Sequence, residues 1–223
     1  EYSAALGHLG REPLGGFDSC PSAPVVREQF SDGAYGLEAL AKGNNYAVNW
    51  GSGDMLSWET KETRGAFGTY YVDESKIFKN GVAGDRFQNR NGMKSRDFLD
   101  GLSNTIAMSE VIAAESKTDI RGVWMSPAMG ATIFSTFLNP NSSEKDVLAA
   151  CGADIDDDGK KPRLACDEVQ DTAAIYAAAR SYHTGGVNVL MADRGVRFVT
   201  DSVDNLNVWR PMSTAQNGEV VNQ

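Results

Sequence analysis

The end of the chain carries the pattern that most constrains the fold. Two valine-containing apolar segments, 187–192 and 196–199, stand on either side of Asp193-Arg194-Gly195. Short apolar runs joined by a tight polar turn that contains glycine predict a β-hairpin. We therefore expect antiparallel sheet in this part of the molecule.

The rest of the chain points in the same direction. It contains 23 glycines and little helical periodicity, and residues 44–51 alternate polar and apolar side chains as a short strand does. Residues 105–112 predict a buried strand, and 122–125 predict a second strand that pairs with it. A chain of 223 residues is long enough for one hydrophobic core. The sequence thus predicts an α+β fold dominated by antiparallel sheet, with 1–223 forming a single domain.

Composition excludes two classes of function. The formal net charge of −9 argues against nucleic acid as a partner, because phosphate binding needs an excess of Lys and Arg. No run of 18 apolar residues is present that would span a membrane. The opening Glu1-Tyr2-Ser3 has neither the basic region nor the apolar stretch of a signal peptide, so we expect a mature or trimmed product.

The three cysteines bear on the compartment. Cys151 and Cys166 flank a polar stretch, and a disulfide closing a loop of about 15 residues would contribute roughly 3 kcal/mol. Such a bond would imply an oxidising compartment. We predict that 139–171 is a surface insertion closed by this disulfide. Cys20 is either buried and inert or has a partner in a removed segment. With no Cys-x-x-Cys pair and two histidines, a zinc site is not expected.

The segment between these cysteines is acidic and resembles the start of a calcium-binding loop. Asp154, Asp156 and Asp158 occupy the first, third and fifth positions, and a glycine follows. The twelfth position holds alanine instead of a bidentate glutamate, so Asp167 or Glu168 would have to complete a looser cage. The hypothesis is a calcium site, and the alternative is a solvated acidic loop.

Polar residues around the C-terminal hairpin are interpreted as structural. His183 and Asp193 lie at opposite ends of the predicted strand, roughly 20–30 Å apart at about 3.3 Å per residue, and so cannot form an acid–base dyad. We expect His183 to satisfy backbone groups before the strand and Asp193 to cap the turn. Gly185 and Gly186 are expected to allow a close approach of the backbone, since the Lys-Ser/Thr of a phosphate loop is missing.

Residues 181–193 resemble the C-terminal signature of a large bacterial family, the DUF1559 type, that is abundant in planctomycetes. Its hallmark is a His, nine residues and then Asp-Gly, with the His in the phrase His-x-Gly-Gly-Val-Asn, which His183 to Asn188 match. This chain places Arg194 between Asp193 and Gly195. Further phrases match in the family's order: Cys20-Pro21-Ser22, 45–51, 97–106 followed by Ser109-Glu110, Trp209-Arg210 and 218–221.

The resemblance implies a pilin-like protein. Members carry an N-terminal apolar helix that a prepilin peptidase processes, so we expect this chain to be a globular head without its stem helix. A cysteine in that helix is a candidate partner for Cys20. The implied location is extracellular or in the cell envelope or periplasm, the implied partners are other pilin-like subunits or envelope components, and membrane contact would occur only through the helix.

The sequence therefore favours a structural or adhesive head domain, and no catalytic residue is expected. Two alternatives stay open. One is a secreted carbohydrate-binding module in which Trp50 and Trp58 stack on sugars, although aromatic residues are more often part of the core. The other is a polysaccharide-active enzyme, which would require carboxylates to converge in one cleft.

Overall fold

The computed structural model describes residues 19–26, 28–32, 37–57, 60–68, 93–124, 126–152, 162–169 and 174–218. Nine strands and one short α-helix lie within these ranges: β1 (Gln29–Asp32), β2 (Leu37–Ala41), β3 (Tyr46–Gly51), β4 (Ile106–Glu110), β5 (Ile133–Ser135), β6 (Asp146–Leu148), β7 (Cys166–Glu168), β8 (Gly186–Met191), β9 (Val196–Thr200) and α1 (Arg210–Ser213). Two 3-10 turns (Ser95–Asp97 and Pro162–Leu164) and a π-helical turn (Asn205–Trp209) complete them. The α+β, mainly antiparallel prediction is confirmed. None of the described helices has the length and apolar character needed to cross a membrane.

The central sheet has five strands in the order β5-β3-β4-β8-β9. Its pairs are antiparallel except for β3 with β5. The predicted hairpin is β8 and β9, with Leu190 opposite Val196. In its turn, Asp193 Oδ1 accepts a hydrogen bond from the Gly195 amide at 2.8 Å, and Arg194 adopts a φ of 76°. The extra arginine therefore takes the left-handed position of the turn.

The predicted pairing of 105–112 with 122–125 is wrong. The first segment contains β4, the middle strand of the sheet, whose neighbours are β3 and β8. Val123 makes a single bridge to Lys42 instead. The neighbours of β4 come from distant parts of the chain, which the sequence-local pattern could not indicate.

Among the described residues, two apolar clusters form the core. One packs a face of the central sheet, including Ala47, Val187 and Val189, against Trp209 and Met212 near the end of the described chain. The other surrounds Trp50 and includes Phe30, Ile120, Met129, Ile133, Leu148 and Ile175.

The segment 139–171, predicted as a surface insertion, contributes to this second cluster. Strands β6 and β7 pair in parallel, and the side chains of Leu148 and Leu164 are buried. The disulfide Cys151–Cys166 is present, with the two Cα atoms 6.1 Å apart. The described part of the segment is thus not confined to the surface, because its apolar residues pack into the core.

A buried network of ion pairs ties this segment to the rest of the molecule. Asp146 pairs with Arg180 at 2.9 Å and with Arg121 at 3.4 Å, and Arg121 also pairs with Asp119 at 2.7 Å. All four side chains are at most 2% exposed. Burial alone would lower the pKa of Arg121, but the charges and hydrogen bonds of Asp119 and Asp146 outweigh it and raise the pKa above its ordinary value.

Candidate functional site

A pocket of about 750 Å³ lies on the central sheet, on the side where β3 carries Tyr46. Tyr46 lies opposite Glu110 across β3 and β4, and Ser109 lies opposite Val189 across β4 and β8, which brings Glu110 beside Asn188. Because side chains alternate along a strand, Tyr46, Glu110 and Asn188 point to the same face of the sheet. The pocket is lined by Cys20, Pro21, Ser22, Asn44, Tyr46, Met108, Ser109, Glu110, His183, Asn188, Val189, Leu190 and Val196.

Three side chains that can ligate a metal meet in this pocket. Glu110 Oε1 lies 3.0 Å from His183 Nε2 and 3.6 Å from Cys20 Sγ, and Sγ lies 3.7 Å from Nε2. Cys20 is buried, the side chain of Glu110 is 3% exposed, and that of His183 is 31% exposed. We call Cys20, Glu110 and His183 the thiol cluster.

Neighbouring polar groups fix the two buried members. Glu110 Oε2 accepts hydrogen bonds from the backbone amide of Asn188 at 2.7 Å and from its side-chain amide at 3.3 Å. The backbone amide of Cys20 donates to Asn45 Oδ1 at 3.0 Å, and Asn45 Nδ2 donates to the Val111 carbonyl at 3.3 Å. The carboxylate and the thiol are therefore held in place by the strands around them.

His183 is positioned by the loop that enters β8. Its backbone amide donates to Ser181 Oγ, and Ser181 Oγ donates to the Gly186 carbonyl. The chain turns at Gly185, where φ is 82° and a side chain would be strained. At Gly186 a Cβ atom would lie 2.2 Å from the Val199 carbonyl oxygen, so only glycine permits this approach of β9.

The matched range in a comparison with known families covers this entire site. Residues 3–206 match the model of a family described as a protein of unknown function (DUF1559). The chain belongs to the DUF1559 family. Neither the curated proteins nor the solved structures gave a match to it.

In this DUF1559 protein, the thiol and the carboxylate of the cluster share one ring nitrogen of His183. His183 Nε2 faces both the carboxylate and the thiol. With its proton on Nε2, His183 donates to Glu110 and has no lone pair for Cys20; with its proton on Nδ1, Nε2 has a lone pair that can accept from Cys20 or bind a metal ion. Nucleophile–base–acid relays use one ring nitrogen for each neighbour. The cluster therefore brings three potential metal-ligand atoms, one from each side chain, close to one another.

Tyr46 borders the same cluster. Burial raises the pKa of Tyr46 above its ordinary value, and the charges of Cys20 and Glu110 together with a hydrogen bond to Cys20 act in the same direction. Tyr46 therefore stays a neutral phenol beside the cluster at neutral pH.

The hairpin residues singled out in the sequence separate into two places. His183 and Asn188 reach the pocket, whereas Asp193 lies in the turn at the far end of β8. His183 was expected to satisfy backbone groups, but its ring contacts the side chains of Glu110 and Cys20.

The sugar-stacking interpretation fails for Trp50. Its side chain is part of the core at 5% exposure, and its Nε1 donates to the Met55 carbonyl at 3.0 Å. Trp58 lies outside the described residues.

Three of the four predicted calcium ligands, Asp154, Asp156 and Asp158, also lie outside the described residues. The fourth, Asp167, is 58% exposed and pairs with Lys145 at 2.7 Å. Asp167 is thus open to solvent beside the disulfide-bonded Cys166.

Sequence reasoning missed Glu110 and Cys20 as partners of His183. A signal was present, because each of the three belongs to a different phrase by which the chain resembles the DUF1559 family: Cys20-Pro21-Ser22, Ser109-Glu110 and the phrase that begins at His183. Phrases far apart in the sequence that each contribute one polar residue indicate a shared site.

Proposed function

We propose that this DUF1559 protein is the head domain of a pilin-like subunit displayed outside the cytoplasm, in the extracellular space or the cell envelope, where it has a structural or adhesive role. The observation that carries the proposal is the disulfide Cys151–Cys166, which is built into the core beside Arg121. Disulfides of this kind form and persist in oxidising compartments. The proposed partners are other pilin-like subunits or components of the envelope.

The pocket face supports a role in binding. Met108, Leu190 and Val196 lie next to one another on β4, β8 and β9, and Val196 is 69% exposed. Phe198, two residues further along β9, is 51% exposed. A contiguous apolar surface open to solvent is typical of a contact site for another protein. The polysaccharide alternatives lack comparable support among the described residues, since Trp50 is buried.

The test follows the full-length protein in the bacterium that produces it. We expect a membrane-impermeant biotin reagent to label it on intact cells, and gold-labelled antibodies to detect it on filaments or at the envelope. Val196→Asp should reduce its incorporation by placing a charge on the contact face. Leu206→Asp is the matched control, because Leu206 is 68% exposed and lies outside the pocket.

Two results would refute the proposal. Labelling that appears only after lysis would show that the protein is not displayed. Equal incorporation of Val196→Asp, Leu206→Asp and the wild type would show that the pocket face makes no contact with a partner.

We further propose that the acidic segment 154–158 holds calcium together with Asp167. Its support is the alternation of aspartates in the sequence and the disulfide, which joins Cys151 and Cys166 on either side of the segment. Calcium accepts oxygen ligands in flexible arrangements, so a cage without the terminal glutamate is compatible with binding.

A further inference from the structure

The three donor atoms of the thiol cluster are spaced as ligands of one metal ion. With Zn–S of about 2.3 Å and Zn–N and Zn–O of about 2.0 Å, a tetrahedral ion separates S from N and S from O by about 3.5 Å each, and N from O by about 3.3 Å. The corresponding distances here are 3.7, 3.6 and 3.0 Å. An ion can therefore be accommodated with movements of a few tenths of an ångström.

We propose that Cys20, Glu110 and His183 form a site for a thiophilic divalent metal ion, with zinc the ion that fits best, whose fourth position opens into the pocket. The donor set of one thiolate, one imidazole and one carboxylate is one that zinc accepts. This metal site was not expected from the sequence, because its residues share no local ligand motif. Cys20 and Glu110 are 90 positions apart, and Glu110 and His183 are 73 positions apart.

The charge of the cluster suits a dication. A thiol binds metal as the thiolate, so Cys20 and Glu110 bring two negative charges into a part of the protein where both are buried. Two buried like charges in contact are costly unless a cation lies between them. A divalent ion neutralises both, while His183 ligates as the neutral imidazole.

The surroundings also fit a metal site. Ligands in such sites are oriented by further hydrogen bonds, and Glu110 receives two from Asn188 through its other oxygen, Oε2. Oε1 faces His183 Nε2 and Cys20 Sγ, and the side-chain amide of Asn188 also lies 3.3 Å from it. The other cluster of potential ligands in the described residues, Asp119 with Cys151 and Cys166, has both sulfurs in the disulfide and offers no thiolate.

The fourth position gives the site a role in recognition. Three protein ligands with one exchangeable position are the arrangement of zinc sites that bind water or an incoming molecule. His183 is the partly exposed member, and all three ligands line the pocket. The ion would take its fourth ligand from water or from a carboxylate, imidazole or thiolate of a molecule that packs on the apolar wall of Met108, Leu190 and Val196.

The experiment uses the purified chain with its disulfide intact, kept anaerobic and free of chelators. We expect zinc to bind with one equivalent in calorimetry, and Co²⁺ to give the near-ultraviolet thiolate charge-transfer band with intense visible bands of a four-coordinate ion. Cys20→Ser should abolish the charge-transfer band, and Glu110→Gln should weaken binding. Glu62→Gln, which alters an exposed carboxylate outside the pocket, should bind as the wild type does.

Asn188→Ala provides a finer test, because Asn188 contacts the carboxylate and not the ion. Loss of such an orienting partner typically reduces metal affinity about 10- to 100-fold. The cobalt charge-transfer band should therefore persist in this variant and require more metal to saturate.

A measurement on the wild type covers the case in which Cys20→Ser does not fold. Zinc should slow the alkylation of Cys20 by iodoacetamide several-fold, and excess calcium should not. A missing cobalt–thiolate band together with zinc-independent alkylation would overturn the proposal. Zinc binding of equal affinity in folded Cys20→Ser would overturn it as well, since the ion would then lie elsewhere. Either result would leave the display proposal untouched, because that proposal rests on the disulfide and the apolar face.

Discussion

Replacing Asp146 with asparagine should destabilise the fold far more than the loss of one surface ion pair. The Asp146 carboxylate accepts hydrogen bonds from Arg180 Nε at 3.0 Å, Arg180 Nη2 at 2.9 Å and the Ala178 amide at 3.0 Å, and it also faces Arg121. An asparagine side chain at this position would keep the shape but turn an N–H group toward at least one of these donors.

The size of the effect follows from the balance of buried charge. In the wild type, Arg121 and Arg180 are offset by Asp119 and Asp146, and all four are at most 2% exposed. Asp146→Asn leaves two guanidinium groups against one carboxylate. An uncompensated charge of this kind costs about 3–5 kcal/mol, a large part of a total stability of about 5–15 kcal/mol.

Urea unfolding monitored by tryptophan fluorescence measures this loss. With an m-value of about 2 kcal/mol/M, the midpoint should fall by about 1.5–2.5 M. Asp167→Asn in calcium-free buffer is the control, because the Asp167–Lys145 pair has a similar distance of 2.7 Å but is more than half exposed. The control should lose no more than about 1 kcal/mol. If both variants lose the same small amount, burial is not what gives the network its importance, and the reasoning is wrong.

Three further predictions concern other parts of the molecule. Burial lowers the pKa of Lys42 from 10.5 to about 8, so between these values the unfolded state binds more protons and the stability that Lys42 confers rises with pH. The free energy of unfolding of the wild type, relative to that of Lys42→Met, should therefore be larger at pH 9.5 than at pH 7 in urea unfolding, and a pH-independent difference would contradict this. The double replacement Cys151→Ala, Cys166→Ala should lower the free energy of unfolding by about 3 kcal/mol for a separation of 15 residues, and an unchanged value in the same assay would count against the loop-closure argument. Millimolar calcium should raise the melting temperature by several degrees in scanning calorimetry and should not do so after Asp156→Ala with Asp158→Ala; no shift in the wild type would remove the calcium proposal.

The parts of the fold that local patterns encode could be predicted. The hairpin of β8 and β9 follows from two apolar runs and a glycine-containing turn, and β4 follows from one buried apolar run. The order of strands could not be obtained this way. The parallel pairing of β3 with β5 and the antiparallel pairing of β4 with β8 each join segments about 80 residues apart. Such pairing depends on which faces bury the most apolar surface, and no short window of sequence reports that.

The same limit applies to the polar residues. His183 was interpreted as a partner of the backbone because Asp193, the carboxylate considered for it, lies at the opposite end of the predicted strand. Its partners, Glu110 and Cys20, come from β4 and from the beginning of the described chain. Asp146 was likewise placed in a surface insertion, because a charged residue in a polar segment gives no sign that two distant arginines will bury it.

The placement of the hairpin phrase has a consequence for what it encodes. A turn between β8 and β9 needs only Asp193 and the residues next to it, which lie at the far end of β8. His183 and Asn188, five positions apart, instead reach the same carboxylate of Glu110, and the left-handed turn at Gly185 lets the chain bring both to it. The absence of a side chain at Gly186 lets β9 pack closely against β8, and β9 carries the exposed Val196 and Phe198 beside the cluster. The phrase from His183 to Asn188 is therefore better explained as the frame of a binding site than as a device for turning the chain.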